Sequence, residues 1–362
     1  MINNFCYIHI PFCTSKCKYC RFASVWNLDN IKVNLYVEKL LEEIKTSPLT
    51  PLLKGEGNFL KSIYFGWWTP GVLLPVQLEK IINSLKEKID FDKNIEINIE
   101  TIPITVTKEN IIAWKNMWVN RLSIWVQTLN NDSLIEIWRG EKGNIIKSLD
   151  YISEVWFNNV SVDFIIWLPY VKKREIKKDI EYILDRYNFI KHISVYMLEE
   201  YYYPWNWNNI SITEKEYLWE YIEINNFLKS KGFKRYEISN YALDWYECNH
   251  NKAYWNHSNM LAFWLWAHWY INWERFSNSN KFIEYYSWIK VIEEKLSTND
   301  FFLEKVMFGL RTNWLENSLV EKLDNKKIYQ FIEDWYMYYK KWILKISDKW
   351  ILVLDYILKE II

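Results

Sequence analysis

Apolar residues gather along this chain in six short runs: Phe5–Ile10, Ser62–Phe65, Ile95–Glu100, Arg121–Val126, Ser161–Ile166 and His192–Leu198. Each is rich in Val, Ile or aromatic residues, which predicts β-strands. The segments between them are longer and place apolar residues three and four apart, as in Val33–Thr46 and Val76–Ile89, which predicts helices. Repeated βα units imply a parallel sheet with helices outside it. Six units are too few for a closed eight-stranded barrel, so the expected class is α/β with an open partial barrel. In such folds the chemistry gathers at the C-terminal ends of the strands. Lys54–Gly57 reads as a polar loop inside the first crossover. After the sixth run the pattern changes. Lys231–Tyr241 reads as an edge strand closing the barrel region. From about Phe282 the chain reads as helical and amphipathic, with Glu304–Arg311 its clearest stretch. Trp342–Leu354 reads as a hairpin or wing.

The loop after the first run carries the candidate chemistry. Cys13, Cys17 and Cys20 stand at x3 and x2 spacing and can reach one metal centre from a single loop. Zinc sites and iron–sulfur clusters both usually take four protein ligands. Only three are local here, and Phe22 stands where a fourth cysteine would follow. A three-thiolate [4Fe–4S] cluster leaves one iron open, and an open position is what a catalytic metal keeps for its substrate. Spacing alone leaves a structural metal site as the alternative. Five cysteines with three in one loop argue against a disulfide framework and for a reducing cytosol. A formal net charge of +0 gives no basic field for nucleic acid. The start of the chain lacks the basic and then apolar pattern of a signal peptide. The most apolar run, Met260–Ile271, is too short to span a bilayer and contains His268. A cytoplasmic protein with no integral membrane segment is expected.

The stretch Tyr7-Ile-His-Ile-Pro-Phe-Cys13-x3-Cys17-x2-Cys20-x-Phe22 closely resembles the radical S-adenosylmethionine (SAM) superfamily, and within it the oxygen-independent coproporphyrinogen III oxidase group. The resemblance runs from Tyr7 to near the C-terminus. The oxidases of that group carry a further cysteine two residues past the third. Phe22 in that place resembles the sister branch, the radical SAM heme chaperones. The resemblance implies a three-quarter (β/α)6 radical SAM barrel over residues 1–240. It also implies a connecting segment over 241–285 and a small, mainly helical or winged C-terminal domain over 286–362. It implies that Cys13, Cys17 and Cys20 hold a [4Fe–4S] cluster and that SAM chelates the open iron. Gly66, Trp67, Trp68 and Thr69 stand where the family has a Gly-Gly-Gly-Thr-Pro turn against the methionine end of SAM. Glu100, Gln127, Arg139 and Asp163 match positions that line the SAM pocket, while Ile102 departs from the family's Glu-x-Asn-Pro. Tyr7 and Phe22 would pack on the adenine or shield the cluster. Cys248-Asn-His250-Asn-Lys-Ala-Tyr254-Trp255 reads as a polar loop and resembles the His-Asn-x-x-Tyr-Trp signature of the heme chaperones, which makes His250 the candidate heme ligand and Cys248 a second one. The loop around His268 would close over the SAM site. The function implied is heme handover to an acceptor protein, with a reductant for the cluster as second partner and a homodimer admitted. The alternative is coproporphyrinogen III oxidase activity in porphyrin biosynthesis. A third option is SAM cleavage on another substrate.

One feature of the composition stands apart. Glycine numbers 8 and tryptophan 23. A usual glycine share of about 7% would give roughly 25 glycines. Trp67, Trp68, Trp125, Trp167 and Trp266 fall at turns where the resembled family has glycine, and Trp342 and Trp350 fall at the turns of the expected hairpin. An indole is a poor substitute where a turn needs φ > 0. The hypothesis is that most of these tryptophans are UGA codons read as glycine in the source. Trp255 is expected to be genuine, because the resembled motif has tryptophan there. Mass spectrometry of the intact protein checks this, and tryptophan at 67, 68 and 125 would end the idea.

Overall fold

The computed structural model describes residues 3–20, 29–46, 58–67, 69–198, 213–279, 284–285, 290–312, 314–348 and 351–362. Phe22, Trp68, Trp350 and the Lys54–Gly57 loop lie outside the described residues. Strands β1 (Asn3–Ile10), β2 (Phe59–Trp67), β3 (Phe91–Thr101), β4 (Arg121–Gln127), β5 (Val160–Ile166) and β6 (Ile190–Met197) each pair in parallel with the next. Their order in the sheet is their order in the sequence. The crossovers carry α1 (Asn30–Thr46), α2 (Pro75–Lys88), α3 (Lys108–Asn116), α4 (Asn131–Glu136) with α5 (Lys142–Glu154), and α6 (Glu175–Arg186). These are the six βα units of an open partial barrel.

Alternate side chains of each strand point to opposite faces. One face bears Ile8, Ile10, Ile63, Phe65, Ile97, Ile99, Leu122 and Ile124, all fully buried. Each helix meets the sheet with an apolar stripe. In α2 it is Leu78, Ile81, Ile82 and Leu85; in α6 it is Ile176, Ile180 and Ile183. Full burial of one such side chain stabilises by about 1.5–3 kcal/mol. The other face is polar along its length: Ser62 and Tyr64 on β2, Glu96, Asn98 and Glu100 on β3, Arg121 and Ser123 on β4, Ser161 and Asp163 on β5, His192 and Ser194 on β6.

Helix α7 (Glu214–Ser230) follows, capped by a reciprocal Thr213–Glu216 box, and then come short strands β7 (Lys234–Arg235) and β8 (Asn240–Ala242). The Lys231–Tyr241 stretch is therefore a small antiparallel pair, not one strand. Helix α8 (Asn249–Trp255) leads into β9 (Asn259–Phe263), which pairs in parallel with the free side of β1. Strands β10 (His268–Ile271), β11 (Glu274–Asn278) and β12 (Lys290–Lys295) extend that edge, β10 and β11 as an antiparallel hairpin. A strand at 290–295 corrects the expectation of helix from 282 onward.

Two compact units result: residues 1–210 with 248–294, and residues 211–247 with 295–362. They divide the chain elsewhere than at 240 and 285. Core packing is the reason, since Tyr221 of α7 is buried in one cluster with Val306, Leu310 and Leu344. The second unit adds α9 (Thr298–Arg311), α10 (Asn317–Val320), α11 (Asn325–Glu333) and α12 (Leu354–Ile361) to a three-stranded antiparallel sheet of β13 (Leu315–Glu316), β15 (Ile343–Ile346) and β14 (Met337–Lys340). The wing is therefore Met337–Ile346, turning at Lys341–Trp342. Residues 354–361 are helical because Leu354, Ile357, Leu358 and Ile361 repeat at three and four spacing and all are buried. Among the described residues no helix is long and apolar enough to cross a membrane.

Candidate functional site

The cysteine loop leaves the C-terminal end of β1 and is pinned at two places. The Thr69 amide donates to the Phe12 carbonyl at 3.1 Å, and Cys13 Sγ meets Thr69 Oγ1 at 3.3 Å. Farther along, the Lys18 amide donates to the Ile137 carbonyl at 3.3 Å, and Lys18 Nζ pairs with Glu136 at 2.5 Å. The loop thus bridges the ends of β2 and α4. Cys13 and Cys17 are buried and Cys20 is half-buried, and none of the three forms a disulfide.

Arg139 stands among these sulfurs. Its amide closes the end of α4 on the Leu134 carbonyl at 2.8 Å, which aims the side chain back at the loop. Nη1 donates to Cys17 Sγ at 3.4 Å and Nε to Gln127 Oε1 at 3.0 Å. Nη2 is buried without a partner. Burial by itself would lower the pKa of this guanidinium, but Cys17, Tyr19 and Cys13 raise it on balance. Tyr19 in turn is held above its usual value by burial and then by Cys17, with Cys20 adding to it. Cys17 and Cys13 therefore lie close enough to this cation to favour its charge, and Cys17 touches it. Among the described residues no three His, Cys, Asp or Glu side chains converge as ligands of a single ion. A four-iron cube does not ask for that, because its thiolates bind separate irons. An anionic cluster fits a donor set of three thiols beside a fixed positive charge with one unused N–H.

Gln127 ends β4 with φ 65 and is held from below. Asp179 of α6 accepts from Thr128 Oγ1 and the Leu129 amide, each at 2.7 Å, and so fixes the turn that carries Gln127 toward α4. Burial pushes its pKa up to about 6. Glu100 ends the polar face of β3. Oε1 accepts from the Tyr64 hydroxyl at 2.6 Å and Oε2 from the Trp67 amide at 2.9 Å. Burial and the nearby Asp163 charge outweigh these donors, and the Glu100 pKa rises to about 7. Asp163, whose pKa burial raises to about 6, receives a hydrogen bond from Ser161 at 3.3 Å. Gly66 is required by the rings beside it: a Cβ there would meet Tyr64 at 2.8 Å and Tyr7 at 2.9 Å. The Trp67 indole lies 4.9 Å from the His9 ring.

His250 is elsewhere. The His-Asn-x-x-Tyr-Trp stretch is helix α8, not a polar loop. Cys248 Sγ caps it by accepting from the Asn251 amide at 3.5 Å. The Glu96 carboxylate accepts from the amides of Asn249 and His250 at 3.0 and 3.1 Å, which suits the positive end of a helix. The structure places the imidazole under the barrel face, 2 % exposed, with Nδ1 on Ser62 Oγ at 2.7 Å and its ring stacked on Tyr64 at 4.7 Å. Tyr7 lies 6.1 Å and Tyr254 5.4 Å away. Burial lowers its pKa to about 3, so the ring is neutral at physiological pH, and Nε2 has no partner. Cys248, pushed up to about 12 by burial and Glu96, is a thiol. Tyr7 thus sits with the His250 group, linked through Tyr64 to Glu100.

Two supports escaped sequence reading. Tyr64 could have been found from its alternation with Ser62 and Gly66. Glu43 of α1, fully buried, accepts from the Trp264 amide at 2.8 Å, Asn278 Nδ2 at 2.8 Å and the Tyr285 hydroxyl at 2.5 Å, and no local signal marks it. It anchors the turn before β10, where exposed His268 begins the strand.

Comparison with known proteins bears on this arrangement. The Radical SAM superfamily matches residues 7–183. A protein of Buchnera aphidicola subsp. Schizaphis graminum named heme chaperone HemW is 33% identical over 265 residues, spanning 72% of this chain and 69% of that protein. The HemW of Lactococcus lactis is 29% identical over 89% of this chain and 85% of its own length; that of Bacillus subtilis is 29% identical over 84% and 82%. The fold matches that of the coproporphyrinogen III oxidase HemN from Escherichia coli with a TM-score of 0.81, at 18% identity, over 99% of this chain and 89% of that one. Three thiols on the loop after the first strand of a six-unit open barrel, together with these relatives, place the chain in the heme chaperone HemW family of the radical SAM superfamily.

Proposed function

We propose that this protein binds heme and hands it to an acceptor protein, using a radical SAM centre whose cluster is held by Cys13, Cys17 and Cys20. Superfamily membership brings a [4Fe–4S] cluster and SAM. When bound and reduced by one electron, they supply a 5′-deoxyadenosyl radical together with methionine. The observation that carries the reading is the Arg139 guanidinium: one nitrogen on Cys17, one on Gln127, and a third, buried, with no partner. That third nitrogen suits a carboxylate such as the methionine end of SAM. Glu100 suits an ammonium once ionised, and Asp163 and Gln127 suit hydroxyl groups. Gly66, Trp67 and Thr69 offer backbone groups and Tyr7 aromatic surface; the proposal extends to Trp68 and Phe22 of the same motifs, which lie outside the described residues. A reductant for the cluster is the second partner.

His250 remains the proposed heme ligand. A neutral imidazole with an unused Nε2 has the right chemistry. Because Tyr7, Tyr64 and Tyr254 enclose it, ligation requires α8 or these rings to move. The test is reconstitution under anaerobic conditions with iron, sulfide and glycine at the suspect tryptophans, followed by heme titration. Heme retained by the parent protein and lost in His250→Ala, with the cluster spectrum intact and no porphyrinogen turnover, supports the chaperone. Turnover without heme retention supports the oxidase instead. Light scattering on the same sample reads whether a homodimer forms.

A further inference from the structure

Sixteen non-glycine residues among those described adopt left-handed φ, and ten of them are tryptophan, although tryptophan is only 23 of 362 residues. A bulky side chain is a rare occupant of that region, which glycine enters freely. The ten are not scattered at random. Eight fall into two sets with different surroundings, and the other two, Trp266 and Trp273, sit in the turns on either side of β10.

The first set terminates helices and turns. Helices α3, α4, α5 and α11 end in the same double hydrogen bond. Trp118 donates to Lys115 O while Val119 donates to Trp114 O; Trp138 to Ile135 O with Arg139 to Leu134 O; Trp156 to Ser153 O with Phe157 to Ile152 O; Trp335 to Ile332 O with Tyr336 to Phe331 O. This is the Schellman closure, whose left-handed residue is most often glycine. The chain contains its own reference: α7 closes identically through Gly232 to Lys229 O and Phe233 to Leu228 O, with Gly232 at φ 89. Helix α8 places His257 there, so a side chain is tolerated, but four indoles in one protein are not explained by tolerance. Trp245, at φ 75, is the third residue of the turn closed by Tyr246 N to Leu243 O, where a type II turn takes glycine. These indoles gain little from packing, with Trp156 79%, Trp335 83% and Trp245 94% exposed. A genuine tryptophan is usually well buried.

The second set lines the barrel rim. Trp67 ends β2, Trp167 follows β5 and Trp264 follows β9, with φ of 94, 78 and 90. All three are at the C-terminal ends of parallel strands, on the side where the cysteine loop lies. By contrast, Trp114, fully buried inside α3, and Trp255 in α8 have ordinary helical backbone.

We propose that the functional protein carries glycine at the left-handed tryptophan positions and tryptophan at 114 and 255, and that glycine at 67, 167 and 264 opens the rim of the barrel as the cofactor cleft. One change in decoding, UGA read as glycine, accounts for every position. The rim half of the proposal rests on the radical SAM reading; the identity of the residues does not.

Two measurements decide it. Peptide mass spectrometry of the protein purified from its native cells should find glycine at 118, 156, 245 and 335 and at 67, 167 and 264, with tryptophan at 114 and 255. Tryptophan at the four turn positions overturns the proposal whatever the cofactor chemistry. Three recombinant proteins are then compared: the sequence as written, one with Trp118→Gly, Trp156→Gly and Trp335→Gly, and one with Trp67→Gly, Trp167→Gly and Trp264→Gly. The turn variants should raise the melting temperature and leave SAM affinity unchanged; the rim variants should tighten SAM binding at least tenfold by equilibrium dialysis. Glycine in the native protein with no gain in affinity from the rim variants removes the cleft and leaves the decoding.

Discussion

Trp245→Gly and its mirror, Gly232→Trp, should change stability by similar amounts in opposite directions. Trp245 holds φ 75 in a four-residue turn closed at 3.0 Å, and its side chain is 94% exposed. A left-handed backbone costs an ordinary residue about 1–2 kcal/mol. Replacing it by glycine removes that strain but adds about 0.5–1 kcal/mol of unfolded-chain entropy. So little of the indole is buried that its loss forfeits only a few tenths of a kcal/mol, on the order of 10 Å² at 25 cal/mol per Å². The net expectation is a gain of about 0.5–1 kcal/mol. At Gly232 a new Cβ first meets Leu243 at 3.8 Å, which is ordinary contact, so Gly232→Trp is opposed by its φ of 89 and not by a clash. It should lose about the same amount. Urea titration followed by far-UV circular dichroism reads both, as a shift of midpoint with unchanged slope. A stabilising Gly232→Trp, or a Trp245→Gly that unfolds at lower urea, would refute the strain argument. The exposed positions 118, 138, 156, 245 and 335 lie in separate turns, so their gains should nearly add, to about 2.5–5 kcal/mol. Since a domain's whole stability is about 5–15 kcal/mol, the chain as written is expected to be marginal.

Other expectations concern the site. Cys13→Ser, Cys17→Ser or Cys20→Ser should each abolish the broad visible absorbance of the reconstituted cluster. Arg139→Met should weaken SAM binding by about 10–100-fold in dialysis, the usual loss for a charge-assisted hydrogen bond of 1.5–3 kcal/mol. The Glu100 pKa is raised from 4.5 to about 7 in the fold, so the folded state holds a proton that the unfolded chain has released. Stability should therefore be fullest below pH 4.5 as far as this group is concerned and fall as pH rises toward 7. Glu100→Gln should remove about 2 kcal/mol of that slope in urea titrations at different pH, after a discount for partial exposure. Glu43→Ala leaves three buried donors unmatched; it should cost about 3–5 kcal/mol and speed proteolytic cleavage near 264–285.

The six parallel strands could be read from the sequence because short runs rich in Val, Ile and aromatic residues, apolar at every second position, recur between segments of helical spacing. Structure moved their ends by only a few residues, as with Ile95–Glu100 growing to Phe91–Thr101. The cysteine loop was legible too, since its ligands are local. What stayed hidden depends on partners far along the chain. Helix α8 was mistaken for a loop because Glu96, more than 150 residues earlier, supplies the negative charge at its start. Asp179 and Glu43 look like any surface carboxylate on a helix until the turns they hold are brought to them. The C-terminal hairpin was shifted because Trp342–Ile346 and Trp350–Leu354 have similar apolar patterns. Only the burial of Leu354, Ile357, Leu358 and Ile361 along one side marks the end of the chain, from Leu354 to Ile361, as a helix.

Burial moves five titratable groups at the polar face toward the neutral form: Glu100 and Asp163 upward, to about 7 and 6, His9 and His250 downward, to about 3, and His192 downward as well. A low-dielectric interior disfavours isolated charge, and these groups can respond by holding or shedding a proton. Arg139 cannot, because a guanidinium stays protonated in proteins. It keeps its charge while buried, and a buried charge without a counter-charge costs several kcal/mol. The loop sulfur within reach is Cys17 Sγ, at 3.4 Å. Arginine and cysteine loop therefore form one unit: a cluster held by Cys13, Cys17 and Cys20 would bring the negative charge that this buried guanidinium, with one N–H still unused, calls for.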